Sequence, residues 1–378
     1  MAMRLFDTAR QEVVPFEPGP VVTLYTCGLT PYDATHIGHA ATFLLYDVLE
    51  RRLRDLGHET RLVRNLTDVD DPLVERAKEL GVDYQELAAA ETARFKDDMR
   101  ALDTLPAWRE PEASGAIAEI QRFVGTLLER GHAYRAGGAV YFDVATAPGF
   151  GSVGHLDEPT MLELAAERGG NPDDPAKRHP LDFVLWQPSD EGYPAWASPW
   201  GRGRPGWHVE CSVLALRELG ETIDLHGGGT DLIFPHHESE AASSEAVTGK
   251  PFARHWLHAP MVRLDGTKMS KSLGNLVFVS DLRKRWEPAV IRLAVLSRTW
   301  RRDWDWEDRL LEEAAARLDR WRAAGPGAAA LAEVRARLDD DLDIPGAMAA
   351  ADDAAASGRG VGRAAALLGV DLAPGTAG

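Results

Sequence analysis

The sequence predicts an α/β protein: a parallel-sheet domain, split by an α+β insertion and followed by a C-terminal helical bundle. Three observations lead there. Strand-like and helix-like runs alternate through roughly the first 105 residues, the pattern of a parallel sheet with crossover helices. The texture changes over 106–205, where a Pro-, Gly- and Trp-rich stretch from Gly169 to Pro205 replaces that alternation. After Asn275 the periodicity is helical to the end.

Taken in order, Val21–Thr26 (VVTLYT) is a short β-branched and aromatic run that reads as a buried strand. A turn-rich stretch, Cys27–His36, follows. From Gly38, the residues Ala41, Leu44, Leu45, Val48 and Leu56 recur at helical spacing, and Gly57 closes the run. Thr60–Leu66 is the second strand. Within the insertion, Ile117–Arg130 is an amphipathic helix and Ala139–Val144 a strand. Strands return at Thr222–His226 and His255–Val262, with 227-GGG-229 read as a tight turn after the first of them. Helices are expected at Pro288–Ser297 and Glu307–Ala324. Beyond Gly325–Gly327 an Ala-rich tail is read as packed over Leu331–Asp353 and frayed at its last residues. The predicted units are 1–105 and 206–275 as the two halves of the catalytic domain, 106–205 as the insertion, and 276–378 as stem and bundle.

At 378 residues the chain can bury a large core. A net charge of −17 advertises no polyanion partner. No apolar run approaches a membrane span, and MAMRLFDTAR lacks the apolar core of a secretory signal. The two cysteines make no disulfide framework and fit a reduced compartment. A cytoplasmic monomer with no membrane partner is expected.

Two short strings carry the chemistry. In 36-HIGH-39, His36 and His39 fall at a helix N-terminus, where free N–H groups and the helix dipole favour phosphate, and Gly38 allows close approach of a nucleotide. In 268-KMSKS-272, Lys268 and Lys271 lie on a loop whose ammonium groups can follow charge developing on phosphates. A third constellation is metal-like. Cys27 follows the first strand, Cys211 lies in GWHVECS, and His236 and Glu240 are i and i+4 if FPHHESE opens a helix. Two thiolates, an imidazole and a carboxylate suit Zn²⁺. His237 and Glu238 are the alternative donors on the neighbouring face. Read without further context, two distant cysteines are more often buried small hydrophobes.

From Thr26 to Asn275 the chain resembles cysteinyl-tRNA synthetases and their relatives. The strings that carry this are 26-TCGLTPYDATHIGHA-40, 64-RNLTDVDDP-72, 203-GRPGWHVECS-212, 227-GGGTDLIFPHHE-238 and the lysine loop. The resemblance implies a class I synthetase-like Rossmann (HUP-type) domain that forms an aminoacyl-adenylate. It implies one zinc on Cys27, Cys211, His236 and Glu240, and Mg²⁺ with ATP. Thr30, Thr67 and Trp207 match positions around the bound cysteine. Gly38, Gly228, Gly229, Asp231 and Ser270 match ATP and adenylate contacts, and His36, His39, Lys268 and Lys271 the catalytic positions.

Several strings are more similar to the mycothiol-pathway cysteine ligases: 30-TPYDATHIGHAATFL-44, 66-LTDVDDPLVERA-77, 166-AERGGNPDDPAK-177 and the LLGVD ending. That family implies ATP, L-cysteine and glucosaminyl-inositol as substrates, with AMP and pyrophosphate released. The chain ends about where the anticodon-binding domain of a synthetase would begin, so tRNA is not the expected partner. Glu240 departs from these ligases, which carry a small residue there; the fourth zinc position is then filled by Glu240 or by substrate. The alternatives are a paralogous ligase with another small amine, or a minimal cysteinyl-tRNA synthetase. The amine must lose a proton, and Asp33, His39 and the adenylate phosphate are the candidate acceptors. The Trp-rich stretch 298-RTWRRDWDWED-308 is either a wall of the acceptor pocket or bundle core.

Overall fold

The computed structural model describes residues 2–32, 34–269 and 273–373. Its central sheet has four parallel strands: β1 (Val21–Leu29), β2 (Glu59–Leu66), β3 (Leu225–Gly229) and β4 (Trp256–Ala259), in the spatial order β4-β3-β1-β2. The chain moves outward from β1 to β2, then returns to the other side of β1 for β3 and β4. That reversal opens a crevice beyond the C-terminal ends of β1 and β3, where ligands of open α/β sheets bind.

Side-chain parity along β1 decides what faces what. Val22 and Leu24 join the core under α1 (Ile37–Asp55), with Leu44, Val48 and Leu49. Tyr25 and Cys27 join the opposite core, under α2 (Trp207–Leu219), with Val209, Cys211 and Leu214. The period of two thus puts the Cys27 thiol on the same side as Cys211.

Between β2 and α2 lies a four-stranded antiparallel sheet of Ala133–Ala136, Ala139–Phe142, Phe183–Pro188 and Gly203–Pro205, accompanied by helices Ile117–Glu129 and Glu158–Glu167. After the sheet come helices Pro288–Leu296, Arg309–Ala324, Leu331–Asp339, Ile344–Ala356 and Gly362–Leu367. The Ala-rich tail breaks at 340–343, where Asp341 and Leu342 have φ of 57° and 47°. The expected fraying falls on residues outside those described.

Two expectations need correction. The triplet Gly227–Gly229 is part of β3 rather than a turn after it. Its first glycine is required by packing, since a Cβ there would meet the Tyr46 hydroxyl at 2.1 Å. The run His255–Val262 is two strands, because the chain bends at Pro260 and restarts as Val262–Leu264. Of the two readings of 298–308, bundle core is the one seen: Trp300 and Trp306 are buried, Trp304 is half-buried against them, and the Trp300 indole N–H donates to the Asp341 carbonyl at 2.7 Å.

Candidate active site

The HIGH string forms the first turn of α1. His36 is its N-cap, and its Nδ1 accepts from the backbone N–H of Gly38 at 3.1 Å and of His39 at 3.4 Å. Those two amides are therefore not free for phosphate, as the sequence suggested; the imidazole holds them. A Cβ on Gly38 would meet the His36 ring at 2.8 Å, so this glycine serves the cap itself. The rings of His36 and His39 stack with centroids 3.7 Å apart. Burial, with His36 beside it, pushes the His39 pKa well down and keeps that ring neutral near pH 7.

These histidines open onto a cavity of about 430 Å³ in the crevice. Cys27, Thr30, Trp207, Gly229, Asp231 and Lys268 also line it. Lys268 is exposed on the short strand Thr267–Lys268, so its ammonium can reach a charged ligand without a desolvation cost. Ser270 and Lys271 lie outside the described residues. Gly228 is one layer back: its carbonyl accepts from the Tyr46 hydroxyl at 3.1 Å, and a Cβ there would press on Leu232. Thr67 is buried, its amide donating to the Leu29 carbonyl and its hydroxyl accepting from the Asn65 side-chain amide, each at 2.9 Å. It lines neither this cavity nor the one beside it.

At the closed end the structure brings Cys27, Cys211, His236 and Glu240 together, one ligand atom from each lying within 4.8 Å of the others. All four are buried. Cys27 Sγ is 3.5 Å from Glu240 Oε2, and His236 Nε2 is also 3.5 Å from that oxygen. His236 sits in an irregular turn, Ile233–His237, and Glu240 one turn into the helix α3 (Glu238–Thr248), so the i, i+4 relation holds across a junction. Trp207 stacks on the His236 ring at 4.1 Å.

The donor chemistry fits a cation. Among the described residues, His236 Nε2 and Glu240 Oε1 are buried with no hydrogen-bond partner, which is costly for a folded protein unless something else satisfies them. The other nitrogen of His236 is engaged, its Nδ1 lying 2.9 Å from His208 Nδ1. Burial pushes the His236 pKa well down, leaving the neutral imidazole a metal requires. Burial, with Cys211 and Glu240 near, pushes the Cys27 thiol up; a divalent ion reverses that bias.

Of the alternative donors, His237 belongs to a second, overlapping set with Cys27, His226 and Glu240. Its Nδ1 is 2.7 Å from His258 Nε2. Glu238 is excluded by its own bonds, since it points away and accepts from the amides of Gly151, Val153 and Gly154.

Sequence reasoning missed three residues. His226 Nε2 lies 3.0 Å from Glu240 Oε2, and His208 orients His236. Both stood inside or beside the informative strings but are single histidines with no spacing signal. The third, Asp70, ends the DVD of 64-RNLTDVDDP-72; its Oδ2 accepts from Thr30 Oγ1 at 3.0 Å. Nothing local marks one acidic residue of that run from the others.

The family profile described as "tRNA synthetases class I (C) catalytic domain" matches residues 13–316. The chain belongs to this class I synthetase family. Within it, the chain is 52% identical to the L-cysteine:1D-myo-inositol 2-amino-2-deoxy-alpha-D-glucopyranoside ligase of Thermobispora bispora, over 98% of this chain and 96% of that protein. The ligase of the same name from Mycolicibacterium smegmatis is 51% identical over 93% of this chain and 88% of its own length. The fold is also that of solved synthetases. Mycobacterium tuberculosis methionyl-tRNA synthetase in complex with methionyl-adenylate superimposes with a TM-score of 0.66 at 17% identity, covering 88% of this chain and 82% of that one. Among the described residues no helix is long and apolar enough to cross a membrane.

Proposed function

We propose that the chain is an ATP-dependent ligase of mycothiol biosynthesis. It activates L-cysteine as cysteinyl-adenylate and transfers it to the amine of glucosaminyl-inositol. The observation that carries this is the identity of 50% or more to ligases of that name over nearly the whole chain. ATP, with Mg²⁺ on its phosphates, occupies the cavity of His36, Gly38, His39, Gly229, Asp231 and Lys268. The cysteine carboxylate attacks the α-phosphate and pyrophosphate leaves. Neutral His39, capped His36 and the two loop lysines present donors to the charge that builds on the phosphate oxygens.

Cys27, Cys211, His236 and Glu240 would hold zinc. When bound, zinc supplies a ligand position for the substrate thiolate, which a serine hydroxyl fills poorly, so serine is rejected by coordination chemistry. Trp207 and Thr30 border the cysteine. The two thiols of the site suit a reducing cytoplasm. A second reading, a ligase for another small amine, is favoured by Glu240, which is synthetase-like.

The test has two halves. The purified chain should exchange pyrophosphate into ATP only when cysteine is present, and should then join cysteine to glucosaminyl-inositol in preference to plain glucosamine or tRNA. Charging of tRNA with neither amino sugar accepted would overturn the proposal.

A further inference from the structure

A second cavity, of about 580 Å³, adjoins the first. It is within the roughly 300–1,000 Å³ of small-ligand sites. Thr30, Tyr32 and Trp207 line both, so they form a common wall. The second chamber lies between the catalytic sheet and the insertion, bounded by Asp70–Pro72, Gly169–Gly170, Lys177 and Arg204. The proposed function places the cysteinyl end of the adenylate against Cys27, Thr30 and Trp207. An amine attacking its carbonyl must come through that wall, and the second chamber is the space behind it.

Three carboxylates line this chamber, and two are committed elsewhere. Asp71 is gripped by Arg204 through two bonds of 2.8 Å. Asp182 accepts from the Tyr134 hydroxyl at 2.6 Å and from the amides of Val144 and His179 at 2.9 Å. Asp70 makes no ion pair among the described residues. Its Oδ2 instead takes the hydroxyl of Thr30, the residue shared by both chambers.

We propose that Asp70 is the proton acceptor for the attacking amine, and that the chamber it lines receives a hydroxyl-rich primary amine. This deepens the function proposed above and rests on it. The amine enters as an ammonium ion, and the Asp70 carboxylate takes one proton. The freed lone pair forms the C–N bond at the cysteinyl carbonyl carbon. The C–O bond to phosphate breaks, its electron pair leaves with AMP, and the AMP phosphate carries off the second N–H proton.

Of the other candidates, His39 is already engaged. The His39 Nδ1 accepts from the His36 amide and its ring is stacked. Asp33 lies outside the described residues.

The surroundings of Asp70 suit a base. Burial, with Asp71 adjacent, pushes its carboxyl up to about 6 against the pull of the Thr30 hydroxyl and Arg204. Burial, with Asp70 next among the causes, pushes the neighbouring Glu210 carboxyl on α2 well up, which disfavours a second charge behind Asp70. The cations of the chamber are occupied. Arg168 donates to the carbonyls of Asp231 and Phe234, and the Lys177 ammonium to those of Gly170 and Pro180. A carboxylate of raised basicity is ionised at neutral pH and closer in proton affinity to an amine than an ordinary aspartate. Transfer should therefore fall as the pH drops through about 6.

The experiment compares wild type, Asp70→Asn and Asp70→Glu in two assays. One is cysteine-dependent pyrophosphate exchange. The other is single-turnover transfer from preformed cysteinyl-adenylate to glucosaminyl-inositol on either side of pH 6. Asp70→Asn should lose roughly 10²-fold or more in transfer beyond any loss in exchange, the range of a general base, and its acid limb should vanish. Asp70→Glu should keep the limb at an intermediate rate. Transfer by Asp70→Asn within a few-fold of wild type after normalising to exchange, or an unaltered acid limb, would overturn the proposal. Plain glucosamine serves as a parallel acceptor. Refusal of glucosaminyl-inositol with exchange intact overturns the acceptor reading, while an unaltered limb with either amine overturns the role of Asp70.

Discussion

Two buried polar assemblies, one reaching β1 through Cys27 and the other reaching α1 through Asp47, are built on opposite rules. Under α2, the cluster of Cys27, Cys211, His236 and Glu240 leaves His236 Nε2 and Glu240 Oε1 without hydrogen-bond partners among the described residues. Under α1, Arg292 is equally buried and every one of its nitrogens is used. Nε donates to the Leu368 carbonyl at 2.7 Å, Nη1 to the Leu102 carbonyl at 2.9 Å, and Nη2 to the Asp47 carboxylate. Close by, Arg52 grips Asp339 with two bonds of 2.9 and 2.8 Å. The satisfied cluster pins the C-terminal helices to the nucleotide fold. The unsatisfied one is arranged for something that arrives from outside. Of these two clusters, the complete one is structural and the incomplete one is arranged for a ligand.

The largest break in this contrast should come from Cys211→Ser. It is expected to abolish stoichiometric zinc, measured by metal analysis, and to bring cysteine-dependent exchange down to background. Full exchange in a zinc-free preparation would refute the metal reading.

Next in size is Arg292→Leu, which leaves the buried Asp47 to Arg51 and the Leu105 amide. Unfolding in denaturant should show a loss of about 3–5 kcal/mol, as for a buried ion pair broken from one side. Asp47→Asn on that background should recover part of it, and zinc per folded chain should stay the same. Acid sharpens this test. Burial raises the Asp47 carboxyl, but Arg292 and Arg51 outweigh it and hold the pKa below 3.8. The pair's contribution is thus present above 3.8 and lost as the pH falls through the lower folded value. The Leu variant should show a shallower acid limb than wild type.

The smallest effect is expected for His226→Gln. His226 reaches the proposed zinc set through Glu240, so zinc affinity measured with a competing chelator should fall roughly 10–100-fold. No change in affinity would mean that Glu240 needs no such support.

Much of this was legible in the sequence, for identifiable reasons. The strand–helix unit from Val21 to Asp55 announced itself by periodicity. His36 and His39 were placed correctly at a helix start because Gly38 and the apolar run fix the turn. Less legible was what the His36 ring does, since a histidine cap has no pattern of its own. The glycine triplet read as a turn because glycine has two uses, turning a chain and letting chains touch; only the position of Tyr46 tells them apart. The tryptophans of 298–308 offered both sugar-stacking faces and core bulk, and the choice depended on where Asp341 falls. Asp70 was hidden among acidic neighbours, and its setting emerges only when the insertion folds back over Thr30.

Two glycines have a bearing on how relatives of this chain should be compared. A methyl group at position 28 would sit 1.8 Å from the Asn65 carbonyl, and one at position 227 would strike the Tyr46 hydroxyl. Neither glycine offers a side chain to a substrate. Were both invariant in a set of relatives, they would report how closely neighbouring segments run, not what the enzyme binds. The strings that advertise this site are partly records of tight contact, so a relative can keep both glycines and still have changed its substrate.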